Sequence, residues 1–76
     1  MNNEPTRAYV YQPMAPRPDG KFYGVGGLAA FGLSYDESNI QGITKQRAEG
    51  IAAACNQFPS RARSIAAAAM AEVAGQ

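Results

Sequence analysis

Prolines set the outline of this chain. Pro13, Pro16 and Pro18 fall within six residues of "PMAPRPDG", and Pro59 interrupts an alanine-rich second half. Proline locks its own φ and has no amide to donate, so residues 13–18 form neither a helix interior nor a central strand. Pro59 pushes the residue before it away from helical geometry, so a helix arriving there must end or kink. The chain therefore divides into an extended first half and a helical second half.

The first half reads as a hairpin. "AYVYQ", residues 8–12, is rich in β-branched and aromatic side chains and predicts a strand. Asp19-Gly20 supplies a turn whose glycine can take positive φ, and "KFYGV", residues 21–25, is the return strand. Gly26-Gly27 permits a second reversal. "LAAFGLSY", residues 28–35, then fits a third antiparallel strand, with Ala29, Phe31, Leu33 and Tyr35 on its apolar face and Leu28, Ala30, Gly32 and Ser34 on the other; a helical reading of "LAAFGL" is the alternative, and it would hold Gly32 in its interior. "DESNIQG", residues 36–42, is a polar connection. Residues 1–7, which include Pro5, predict a flexible N-terminus ahead of a single domain over 8–76.

In the second half, Thr44 is placed to cap a helix, with Ile43 and Ala48 as a weak hydrophobic staple. Ala48, Ile51, Ala52 and Cys55 follow at i, i+3, i+4 and i+7, one apolar stripe. This helix should stop near Asn56-Gln57. Ser60 is the expected cap of a second helix, striped by Ala62, Ile65, Ala66, Ala69 and Val73 and stopped by Gly75; one long helix kinked at Pro59 is the alternative. The expected fold is α+β: a small antiparallel sheet of two or three strands packed by two C-terminal alanine-rich helices. Phe22, Tyr23, Val25, Phe31, Leu33, Ile51, Phe58 and Ile65 should supply the core.

Seventy-six residues make one small domain. A core of this size rarely supplies more than about 3–5 kcal/mol. Cys55 is the sole cysteine and histidine is absent, so an internal disulfide and the common zinc sets are excluded. No metal or cofactor is expected, and a partner chain is the remaining support, either a second copy or another protein. The first residues show no charged start before an apolar run, and no stretch has the ~20 apolar residues of a membrane span. A soluble, cytoplasmic protein is the expectation.

Chemistry is sparse. Gly24, Gly26 and Gly27 after a strand invite comparison with a dinucleotide loop. The chain is too short for a doubly wound sheet and lacks the acidic residue about 20 positions on, so these glycines read as a turn. With no histidine base, Cys55 on a buried stripe, and Asp36 and Glu37 adjacent in a loop, an enzyme is not expected. Glu49 and Glu72 read as solvated helix residues.

Two features suggest binding instead. Tyr9 and Tyr11 share one face of the first strand; if Val10 faces the helices, both rings are exposed and form an interface or base-stacking platform, and if not, they are core. Basic pairs open both helices: Lys45 with Arg47, and Arg61 with Arg63. Cations there oppose the helix dipole. They are candidate partner contacts (Arg61, Arg63) or anion sites (Lys45, Arg47), with Glu49 four residues after Lys45 as a local counterion. The helix starts of an antiparallel pair lie at opposite ends, so the two pairs should not merge. A net charge of +1 gives no global field toward nucleic acid. Exposed Ala67, Met70, Ala71 and Ala74 offer a surface for a homodimer.

The order of hairpin, polar loop and Thr-capped "TKQRAEGIAAACN" resembles that of many short proteins encoded by bacteriophages and prophages, among them anti-CRISPR inhibitors of host defence. The resemblance spans roughly residues 8–57 and is one of size and element order. It implies a non-enzymatic protein that occludes a surface of a larger protein or ribonucleoprotein complex in the host cytoplasm. The near-neutral charge departs from those members that mimic nucleic acid with acidic surfaces. A nucleic-acid-binding module and a structural homodimer are the alternative readings.

Overall fold

The computed structural model describes residues 7–75; nearly all of the expected flexible N-terminus, residues 1–6, lies outside the described residues. The fold is α+β. Strands β1 (Tyr9–Tyr11), β2 (Tyr23–Gly26) and β3 (Ile40–Ile43) form an antiparallel sheet in the order β1-β2-β3. A 3-10 turn (Leu28–Phe31) and a single-turn helix α1 (Tyr35–Ser38) connect β2 to β3. Helices α2 (Lys45–Gln57) and α3 (Ala62–Ala74) follow, separated by a second 3-10 turn (Pro59–Arg61).

The hairpin forms as the sequence predicts, with Val10 opposite Val25 and Gly20 in the left-handed region at φ 74°. The third strand does not. Residues 28–35 turn instead of extending, because Gly27 and Gly32, at φ 81° and 85°, bracket one tight turn. Ser34 and Glu37 then close a capping box: the Ser34 hydroxyl accepts from the Glu37 amide, and the Glu37 carboxylate accepts from the Ser34 amide. The turn changes the facing at the two ends of this stretch: Leu28 is buried and Tyr35 is exposed, while Leu33 reaches the core and Phe31, half-buried, packs against it, as expected.

The actual third strand is "IQGI", within and just beyond the stretch read as a polar connection. In a regular strand Ile40 and Ile43 would face opposite sides. Gly42, at φ 76°, is the extra residue of a bulge opposite Tyr23 and Gly24, and it returns Ile43 to the same buried face as Ile40.

Thr44 caps α2, its hydroxyl accepting from the Arg47 amide at 3.2 Å, and the stripe Ala48, Ile51, Ala52 and Cys55 is buried throughout. Phe58 breaks the helical run, giving two helices rather than one kinked helix. Ser60 caps nothing. Pro59 instead seeds the 3-10 turn, and α3 starts at Ala62 without a side-chain cap. It ends before Gly75.

Helix α2 covers β1 and β2, and α3 packs on α2 and β3. Ala48, Ala52, Ala62, Ala66 and Ala69 are buried among the helices, with Ile65 and Val73 half-buried at the margin. The bulk comes from Val25, Leu28, Leu33, Ile40, Ile43 and Ile51. Phe58, expected in the core, is 47% exposed, because the chain leaves α2 before that ring can turn inward. No helix among the described residues is long and apolar enough to cross a membrane.

Candidate interaction face

With Val10 packed against the core, Tyr9 and Tyr11 project from the sheet face opposite the helices, 55% and 39% exposed. Their rings meet edge to face, centroids 6.2 Å apart at 70°. The register sets Tyr9 opposite Gly26 and Tyr11 opposite Gly24. A side chain in place of those hydrogens would crowd the rings: a Cβ on Gly26 would collide with the Tyr9 ring, 2.7 Å from its Cε1, and one on Gly24 would press on the Tyr11 Cε1 at 3.3 Å. The Tyr9 ring thus lies across the bare backbone of Gly26 and Gly27, and the Tyr11 ring, at 70° to it, brings one edge to Gly24. Gly24 lies in the return strand as read from the sequence, Gly26 is its last residue rather than part of the reversal, and only Gly27 begins the turn.

Beside the rings runs an open cleft of about 240 Å³, lined by Tyr11, Gly26 and Gly27 from the sheet side and by Tyr35, Ser38 and Asn39 from α1 and its end. No residue lining it carries a charge at neutral pH. The volume is below the roughly 300–1,000 Å³ of small-molecule sites. Tyr35, 72% exposed, stands on its rim. Strand alternation places Tyr35 toward the core, and the Ser34-x-x-Glu37 box is the signal that places it outside.

The basic residues are arranged differently. Lys45 pairs with Glu49 at 3.5 Å, one helical turn on, as the spacing predicts. Arg47 donates from Nε to Oε1 of Glu72 at 2.9 Å, with Nη2 at 2.9 Å from the same oxygen in the ion pair, joining the start of α2 to the end of α3. Arg63 pairs with the Glu37 carboxylate and donates to the Gly32 carbonyl at 3.2 Å, tying α3 to α1. Arg61 sits over the Phe58 ring, 5.7 Å from its centroid, a cation–π contact. All four cations that oppose a helix dipole therefore have a partner within the chain. Glu49 and Glu72 are ion-pair partners rather than merely solvated, and Glu37 belongs to a helix cap rather than a loop. The two basic pairs remain at opposite ends of the helical hairpin.

The Ser34 amide donating to its carboxylate, helped by the Arg63 charge and opposed by partial desolvation, holds the Glu37 carboxyl below the usual carboxylate range. Burial pushes the Cys55 thiol up, which disfavours the thiolate. Among the described residues no group of three or more His, Cys, Asp or Glu is placed to hold a metal. No family model matches the chain, and the searches of curated proteins and of solved structures give no match to it.

Proposed function

We propose that this chain is a non-catalytic binding module whose outer sheet face, carrying Tyr9 and Tyr11 and extended by Tyr35, covers a surface of a larger protein partner. The observation that carries this reading is the pairing of exposed aromatic rings with a preformed cleft on one side of a small domain. Aromatic rings offer large contact area at low entropic cost, and exposed clusters of them favour interfaces. The similarity in size to phage-encoded inhibitors of the anti-CRISPR kind points the same way, toward occlusion of a host complex in the cytoplasm. The element order that carried that similarity is altered by β3 and α1.

The nucleic-acid reading, resting on Lys45, Arg47, Arg61 and Arg63, is disfavoured by their internal partners: each would have to leave a carboxylate, carbonyl or ring to reach a phosphate. Arg61 and Arg63 accordingly rank below the tyrosines as partner contacts. The homodimer reading, resting on α3, has no comparable support.

The test is capture of partners by immobilised protein, with Tyr9→Ala and Tyr35→Ala compared with wild type. Loss of the captured partner in both variants, with unchanged circular dichroism, supports the reading. Undiminished capture by both variants removes the tyrosine face from the account. Anisotropy of labelled DNA and RNA at low and moderate salt tests the alternative, which requires micromolar binding that collapses as salt rises.

A further inference from the structure

We infer that the cleft between Tyr11 and Tyr35 receives an uncharged, proline-rich segment of the partner in polyproline II conformation. The inference rests on the reading of this face as a protein-binding surface and specifies what that surface recognises.

Three features of the cleft carry it. The first is charge. The residues lining the cleft are all uncharged, and the Arg17, Lys45, Arg47 and Arg63 cations have acidic partners elsewhere, so the segment that fits is uncharged at the contact. The second is the wall chemistry. Tyr11 and Tyr35 both line the cleft, and grooves lined by aromatics are the general receptor for polyproline II. That helix has no internal hydrogen bonds, so its carbonyls need donors from the receptor. Tyr11, Tyr35 and Asn39, which line the cleft, carry such donors; the Asn39 Oδ1 is already engaged by Gln41 Nε2 at 2.7 Å, which leaves Asn39 its two N–H donors.

The third feature is a proline already seated on this face. Pro13 lies over Gly24 beside the Tyr11 ring: a Cβ built on Gly24 would be 3.3 Å from both the Pro13 Cγ and the Tyr11 Cε1. The glycine strand and its tyrosines thus accommodate one prolyl ring within the chain. The cleft beyond Tyr11 offers the same materials without an occupant from the described residues.

The test is titration of the isotope-labelled chain with a blocked decaproline peptide, followed by amide NMR, with a glycine–serine peptide of equal length as control. Saturable shifts centred on Tyr11, Gly26, Gly27, Tyr35 and Asn39 are expected, with a Kd on the order of 0.1–1 mM. Tyr35→Ala, altering an exposed ring, should weaken binding at least roughly tenfold while leaving the spectrum of the core unchanged. Absent shifts, equal shifts with the glycine–serine peptide, or shifts confined to α3 would overturn the inference. So would shifts at the cleft that grow with protein concentration alone, which would make a second copy the occupant. The partner-capture test separates the two levels: tyrosine-dependent capture without decaproline binding overturns the ligand class alone, whereas capture indifferent to Tyr9 and Tyr35 overturns the interaction face itself.

Discussion

The carboxamide of Asn56 and the peptide group of Ala8 exchange two hydrogen bonds: Ala8 N donates to Oδ1 at 2.7 Å, and Nδ2 donates to the Ala8 carbonyl at 3.0 Å. A side chain in the last turn of α2 thereby imitates a β-bridge to the residue before β1, across 48 positions of sequence. The tyrosine strand is short, three residues, and lies at the sheet edge. Asn56 fixes where it begins.

Asn56→Ala should lower stability by about 1–3 kcal/mol, since it leaves both polar groups of the buried Ala8 without their partner. Asn56→Asp should also destabilise, because the carboxylate can accept from the Ala8 amide but sets a charge against its carbonyl. Denaturant midpoints at constant m-value check both. A change within a few tenths of a kcal/mol for Asn56→Ala would mean that water replaces the amide without loss.

The glycine bed makes a second, graded prediction. In Gly24→Ala the new Cβ meets the Ile40 carbonyl, 2.5 Å away in the neighbouring strand, and backbone cannot step aside. In Gly26→Ala it meets the Tyr9 ring, whose side chain can swing outward. Both should cost roughly 1–3 kcal/mol, with Gly24→Ala the larger. The Gly26→Ala cost should shrink in a Tyr9→Ala background, a coupling that a double-mutant cycle reads directly.

Sequence and structure agree where one local signal acts unopposed. Thr44, the Ala48-Ile51-Ala52-Cys55 stripe and the Asp19-Gly20 turn each have a single interpretation, and each forms. Residues 28–43 carry competing signals. Alternation in 28–35 suggests a strand, but the two glycines and the Ser34–Glu37 box favour turns, and local hydrogen bonds decide. Strand β3 is hidden because a bulge at Gly42 gives its isoleucines a spacing no regular strand has. For the candidate face, the shared side of Tyr9 and Tyr11 is legible from alternation. Which side faces out depends on Val10 meeting α2 and β2, a tertiary fact. The partners of Arg47 and Arg63 lie 25 and 26 residues away, beyond any local pattern.

Those partners set modest expectations for the ion pairs. Arg47 and Glu72 are each about half exposed, so solvent screens them, and a double-mutant cycle should return a coupling of about 0.2–1 kcal/mol that falls with added salt. Zero coupling at low salt would show that the pair only tolerates the cation at the α2 start.

Glu37 gives a pH dependence. Its native carboxyl titrates below the ordinary value of 4.5, so the unfolded state binds the proton more readily. The resulting stabilisation is fully present above that ordinary value and is lost as pH falls through the lowered native one. Glu37→Gln retains a neutral capping partner and removes the titration. The wild type should therefore melt above this variant at neutral pH, with the gap closing in acid. A gap that widens in acid would contradict the Ser34 and Arg63 contacts as its source.

The most direct measurement of the central claim is fluorine NMR of the chain labelled with fluorotyrosine, which gives one signal for each of its four tyrosines. Added to a captured and purified protein partner, the signals of Tyr9, Tyr11 and Tyr35 should shift or broaden, while that of Tyr23, packed against the core, should hold its position. Binding that leaves the three exposed tyrosines unmoved would contradict the account.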